Sequence, residues 1–144
     1  MILLDTNVVS EVMHPRPDPA VISWLNRQAT VDLYLSTITL AEIRYGLAIL
    51  PTDKRRRRLE DQFDLFVASG FDQRLLVFDE RAAALYGDLM SRRRALGRPM
   101  SALDGQIAAI ARAHGLAVAT RNVRDFEECG VRIMNPFKRP EADS

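Results

Sequence analysis

The chain has one cysteine, Cys129, in 144 residues. A single thiol can neither close an internal disulfide nor furnish a cysteine-based zinc site, so both kinds of clamp are excluded and Cys129 reads as an inert buried thiol. Long apolar runs are missing as well. No stretch approaches the roughly 18 residues that a membrane span needs, and no membrane segment is expected. The sequence opens directly on a short apolar run, without a basic n-region and a longer apolar core behind it, so the expectation is a chain without a secretory signal that stays in the cytoplasm. Net charge is small, at +1, and by itself supports no claim about nucleic acid. Internal repeats and a convincing linker are also lacking.

What is present is an ordinary globular balance of 47% hydrophobic and 27% charged residues, in a length suited to one domain with a sizeable core and too short for two. Residues 1–137 form that expected domain, and 138–144 a polar tail. The small net charge hides two basic runs, Lys54 to Arg58 and Arg92 to Arg94 with Arg98. Both fall on predicted helices, where such runs are usually solvated faces; a surface for phosphate backbones is the alternative.

Strand and helix patterns alternate along the chain. Ile2-Leu3-Leu4 is an apolar run without polar alternation, the pattern of a strand buried on both faces. A short helix over Val8 to Met13 ends at Pro15 and Pro17, and another starts near Asp18 or Pro19 with Val21, Ile22, Trp24 and Leu25 on one face. Val31 to Leu35 reads as the second strand, followed by a helix through Glu42, Tyr45, Leu47 and Ile49. Asp53 to Ala68 is an amphipathic helix with Leu59, Phe63, Phe66 and Val67 on its apolar side. Leu75 to Phe78 is a third strand, and Asp79 caps a helix from Glu80 to about Leu96. The helix from Ala102 to Ala113 stops at Gly115, ahead of a fourth strand, Leu116 to Ala119. Thr120 to Glu128 is a loop or short helix, and Val131 to Ile133 a fifth strand. This alternation predicts an α/β fold, a central parallel sheet of four to five strands with helices on both faces. Tyr45, Phe63, Phe66 and Tyr86 are expected in the core.

Four acids from four separate segments fall just past strand ends or in first helical turns: Asp5, Glu42, Asp104 and Asp125. Each has a simple reading as a capping residue. Thr39 with Glu42, Ser101 with Asp104, and Asn122 with Asp125 have the spacing of an N-cap and its N3 partner, and Asp5 suits the cap of the helix after it. Four such acids delivered to one edge of one sheet suggest more, because the crevice beyond the carboxyl ends of parallel strands is where such sheets bind ligands. Clustered carboxylates repel one another unless a cation neutralises them. Hard divalent ions accept oxygen ligands of this kind, so magnesium or manganese is implied, and with it phosphodiester chemistry using a metal-activated water.

The runs Leu4-Asp5-Thr6-Asn7, Thr39-Leu40-Ala41-Glu42, Ser101-Ala102-Leu103-Asp104 with Ile107-Ala108-Ala109, and Ala119-Thr120-Arg121-Asn122-Val123-Arg124-Asp125-Phe126 resemble, in order and spacing, those of PIN-domain nucleases. The likeness is greatest to the VapC toxins of type II toxin-antitoxin systems, in the FitB-like branch with its ending like Asn135-Pro136-Phe137. The resemblance implies a Rossmann-like three-layer PIN domain and a magnesium-dependent endoribonuclease. It also implies a homodimer and inhibition by an antitoxin whose other end binds DNA. Carried over by position, Asp5, Glu42 and Asp104 match the three central acids and Asp125 the more variable fourth, with Asp5 and Asp104 as direct metal ligands. Thr6 and Thr120 would be hydroxyl supports of the site and Asn122 a polar neighbour, while Arg121 and Arg124 would contact an RNA phosphate or pair with the acids.

Three other classes stand beside this one. Catalysis by paired imidazoles is disfavoured because His114 lies between a helix and a strand, at the sheet edge opposite the acids; the helix C-terminus accounts for it, and the turn before Pro15 accounts for His14. A phosphatase with Asp5 as nucleophile lacks the second aspartate of the haloacid dehalogenase pattern, since Asn7 stands there. A catalytically silent PIN-like module, acting through its antitoxin and DNA complex, is the third.

Overall fold

The computed structural model describes residues 1–138; of the expected polar tail, 138–144, all but Lys138 lies outside the described residues. Five parallel strands, β1 (Ile2–Leu4), β2 (Leu33–Ser36), β3 (Leu75–Leu76), β4 (Ala117–Ala119) and β5 (Ile133–Met134), form one sheet in the order β3-β2-β1-β4-β5. The connecting helices are α1 (Thr6–Val12), α2 (Pro19–Asn26), α3 (Thr37–Ala48), α4 (Lys54–Gly70), α5 (Glu80–Ala95), α6 (Ala102–His114) and α7 (Val123–Phe126). From the central β1 the chain works outward through β2 and β3, then returns across the sheet to build β4 and β5 on the other side. The reversal of direction between β1 and β4 opens a crevice at their carboxyl ends.

The period-two alternation of strand side chains separates two cores. Ile2, Leu4, Leu33, Leu35, Ala117 and Ala119 face one side, where Val8 and Val9 of α1, Val21 and Trp24 of α2, Ile43 and Leu47 of α3 and Phe63 of α4 cover them. Leu3 and Val118 face the other side, beneath Ala82 and Leu89 of α5 and the Ile107 to Ala111 stretch of α6. This is the expected three-layer arrangement. Among the described residues no helix is long and apolar enough to cross a membrane.

Several boundaries move from their sequence positions. Thr30–Asp32 is a one-turn 3-10 helix, and β2 starts only at Leu33, because Leu33 and Leu35 are the residues the core takes while Val31 is exposed. β3 is cut to two residues: its partner β2 ends at Ser36, opposite Leu76, so Val77 has no strand to pair with and stays exposed. β5 is Ile133–Met134 rather than Val131 to Ile133, its register set by Val118 and Ala119 of β4. The Lys54 to Arg58 run is, as expected, mostly a solvated face. Two expectations fail. Tyr45 is exposed rather than in the core, and Arg93 is buried rather than part of a solvated basic face.

Candidate active site

Asp5 follows β1 immediately and caps α1, and it is 4% exposed. Its Oδ1 accepts from the Thr6 backbone N–H at 2.8 Å. Its Oδ2 accepts from the Thr120 hydroxyl at 2.8 Å and from the Asn7 side-chain amide at 3.2 Å. Thr120 comes from the end of β4, the other side of the crevice, and its hydroxyl also accepts from Asn7 Nδ2 at 3.2 Å and from the Asn122 backbone N–H at 3.0 Å. The Asn7 carbonyl oxygen in turn accepts from the Arg121 backbone N–H at 3.2 Å. Both strand ends are thereby tied to one carboxylate.

Glu42 arrives from the second turn of α3. Its Oε1 accepts from the Thr6 hydroxyl at 2.8 Å, and that hydroxyl lies 3.1 Å from the buried Thr39 hydroxyl. The expected capping pair of Thr39 with Glu42 is not formed. Ser36 is the N-cap of α3, its side chain accepting from the Thr39 N–H at 3.1 Å, which leaves Glu42 turned to the crevice. Asp104 stands in the first turn of α6, where Ser101 caps the helix by accepting from the Asp104 N–H at 3.2 Å. Asp5, Glu42 and Asp104 share a cleft of about 420 Å³ with Asn7, Arg121 and Asn122. Asp125 is exposed and lines the neighbouring pocket, with Arg121, Asn122 and Arg124. Asn122 precedes α7 without a side-chain cap bond, so the expected pairing of Asn122 with Asp125 is also absent.

Burial is the main reason that the Asp5 carboxyl is pushed up to about 6; the hydrogen bonds from Thr120 and Thr6 oppose the rise, and the charges of Asp104 and Glu42 add to it. Asp104 is raised as well, first by burial, then by the charge of Asp125, against the Ser101 bond and the charge of Arg93. Among the described residues no cationic side chain forms an ion pair with Asp5, Glu42 or Asp104. These acids therefore face one another uncompensated, a costly arrangement unless something positive comes between them. Among the same residues no three carboxylate, imidazole or thiol groups converge tightly enough to make a ready-formed metal cage.

Sequence reasoning missed part of the cleft wall. Ser10, Glu11 and His14 also line it. With Asn7 they recur at i, i+3, i+4 and i+7, a helical stripe that was open to reading. Glu11 Oε1 accepts from the Asp18 N–H at 2.8 Å, and its Oε2 lies 4.0 Å from the Arg121 guanidinium. His14 does hold the turn before Pro15, its Nδ1 accepting from the Arg16 N–H at 3.1 Å, yet its ring belongs to the cleft.

Comparison with known proteins adds an independent line. The PIN domain family matches residues 2–131. The chain is 44% identical over 138 residues to the VapC ribonuclease Y4jK of Sinorhizobium fredii, covering 96% of this chain and 99% of that protein. It is 42% identical over 137 residues to the toxin FitB of Neisseria gonorrhoeae, covering 95% and 99%. The structure of FitAB bound to an IR36 DNA fragment superposes with a TM-score of 0.92 at 40% identity, over 98% of this chain and 99% of that one.

Proposed function

The chain belongs to the PIN-domain family, among the VapC and FitB toxins, and from that premise we propose that it is a magnesium-dependent endoribonuclease, the toxin of a type II toxin-antitoxin pair. The observation that carries the reading is the uncompensated set of Asp5, Glu42 and Asp104 in one cleft at the β1/β4 crevice. The donor set is all oxygen and hard. Magnesium prefers one or two carboxylates and keeps several waters, so a pair of acids suffices for it. Asp5 and Asp104 are the residues that would hold it. When bound, it supplies charge neutralisation at the scissile phosphate and activation of water at neutral pH.

The protein's own part is positioning. Both oxygens of Asp5 are fixed by Thr6, Thr120 and Asn7, so this carboxylate cannot swing as RNA enters. The Thr6 hydroxyl holds Oε1 of Glu42 and leaves Oε2 to orient the attacking water and take its proton. Asp125 acts from outside the cleft, its charge reaching Asp104. Arg121, at the rim, presents its guanidinium to the incoming RNA.

An antitoxin is the proposed inhibitor, and a cytoplasmic setting and a homodimer go with the same reading. A groove of about 340 Å³, lined by Met13, Ile43, Leu47 and Leu59, runs beside the acids and shares Thr6, Ser10, His14 and Glu42 with their cleft. A bound polypeptide there would reach the active centre. Exposed Tyr45 on α3, Ile49 just past its end and Leu65 on α4 offer apolar contact area for such partners. Asp104→Asn, which keeps size and backbone cap, is expected to abolish magnesium-dependent RNA cleavage with an unchanged circular dichroism spectrum. Undiminished cleavage by that variant would sink the mechanism, and a wild-type protein that binds antitoxin but cuts no RNA would leave only the silent module.

A further inference from the structure

Beside the acid cleft lies a second pocket, of about 340 Å³, walled by Arg121, Asn122, Arg124, Asp125, Asn135 and Lys138. Arg121 and Asn122 line both cavities, so the two are neighbours across a shared wall. Their charges are opposite in kind. The cleft gathers uncompensated carboxylates, whereas the second pocket brings together three cations against one acid. Arg124 and Lys138 are exposed and make no ion pair among the described residues.

Arg121 is held differently. Its guanidinium lies on the Phe137 ring, 3.9 Å from the ring centre, with Glu11 4.0 Å away, and its side chain is still 55% exposed. One face of the guanidinium is thus covered by an aromatic ring, and the other is left as a flat, cationic platform. Such planes stack with unpaired bases. The Asn122 side chain has no hydrogen-bond partner among the described residues, and the Asn135 amide uses only its oxygen, which accepts from the Phe137 N–H at 3.0 Å. Both retain donors for a base edge.

We infer that this pocket seats one nucleotide of single-stranded RNA, adjoining the phosphodiester that is cut in the acid cleft. The inference rests on the ribonuclease reading and adds to it the place of the neighbouring nucleotide. Its base stacks on Arg121, backed by Phe137, and its phosphate meets Arg124 and Lys138. Asp125, on the same wall, repels a phosphate and accepts from a donor, so it faces the ribose hydroxyl or an exocyclic amine. Stacking is tolerant of base identity, and the asparagine amides supply what base preference the pocket has.

The test measures binding without cleavage. A fluorescein-labelled RNA pentamer of randomised sequence is titrated with the full chain in EDTA, across a range of salt, and its integrity is checked on a gel. Each phosphate contact contributes about 0.7 to the slope of log affinity against log salt for a single strand. Arg124→Ala with Lys138→Ala, which together strip the one phosphate of its partners, is expected to lower the slope by about 0.7, and Arg124→Lys to keep it. Phe137→Leu and Arg121→Lys preserve the charge but remove the platform; each is expected to weaken binding about tenfold with little change in slope. Thermal unfolding midpoints verify that each variant is folded. Tight RNA binding with a slope indifferent to Arg124 and Lys138, or an affinity indifferent to Phe137 and Arg121, overturns the pocket and leaves the ribonuclease reading standing. A parent chain that binds no RNA overturns both.

Discussion

Asp5 is the residue on which structure and chemistry meet most directly, and its burial gives it a measurable signature. A carboxyl raised from its usual 3.8 to about 6 in the folded state holds a proton that the unfolded chain has already lost between those values. The contribution of Asp5 to the stability of the metal-free protein is therefore full below about pH 4 and is lost as pH rises through about 6, about 3 kcal/mol in total. Urea unfolding of wild type and Asp5→Asn in EDTA at pH 5 and pH 8 is expected to show a loss in the first protein that the second lacks; parallel losses would count against the buried, uncompensated carboxylate. Asp5 was legible from sequence because a buried strand announces its own end. Arg93 was not: its neighbours Arg92 and Arg94 are exposed, and a run of like charges gives no sign that the middle one turns inward. Its guanidinium donates to the backbone carbonyls of Arg98 at 2.6 Å, Asp125 at 3.0 Å and Glu127 at 2.6 Å, pinning the segment after α7 to α5. These acceptors are main-chain atoms, invisible to any side-chain pattern. Tyr45 failed for the converse reason, since its helical spacing suits a core but the sheet takes only Thr39, Ile43 and Leu47 from α3.

At the scale of elements, the placement of Asp104 depends on how closely α6 lies against α5. Gly105, the next residue, is fully enclosed, and a Cβ there would fall 2.5 Å from Met90 Sδ and 3.0 Å from the Tyr86 ring. Gly87, on α5, has open space where its Cβ would be. Replacing a helical glycine by alanine ordinarily stabilises by about 1 kcal/mol, so Gly87→Ala is expected to raise the thermal midpoint. Gly105→Ala is expected to raise it less or not at all, because the Met90 side chain and the Tyr86 ring must give way to the new methyl and offset the gain. Equal stabilisation at both positions would refute the close approach. Helices were well marked in the sequence because their caps are side chains: Asp18, Asp53, Asp79 and Ser101 all accept from the first turn they precede. Strands were less so. Those at the sheet edges are two residues long, and their extent is fixed by where the partner stops, which no local pattern carries.

For the molecule as a whole, the cleft is a meeting of distant segments around a charge deficit. Under the proposed reading a divalent ion at the β1/β4 crevice binds the folded chain alone, and at a hundred times its dissociation constant it adds about 2.7 kcal/mol of stability. Magnesium is thus expected to raise the unfolding midpoint of wild type and to leave that of Asp104→Asn nearly unmoved; equal shifts in both would place the ion elsewhere. The sheet order accounts for the fold's legibility, since alternating strands and helices leave few topologies, whereas the basic pocket beside the cleft was legible only in its Arg121 to Asp125 run; Asn135 and Lys138 join it from the segment after β5, with nothing local to announce it. The bond from Thr120 to Asp5 joins residues 115 positions apart, and β4 is the neighbour that completes the central strand. During synthesis, Asp5 leaves the ribosome 115 residues ahead of Thr120 and must wait for it. A copy not yet extended past β4 therefore lacks the bond that fixes Asp5, and the cleft takes its shape only after Thr120 has emerged.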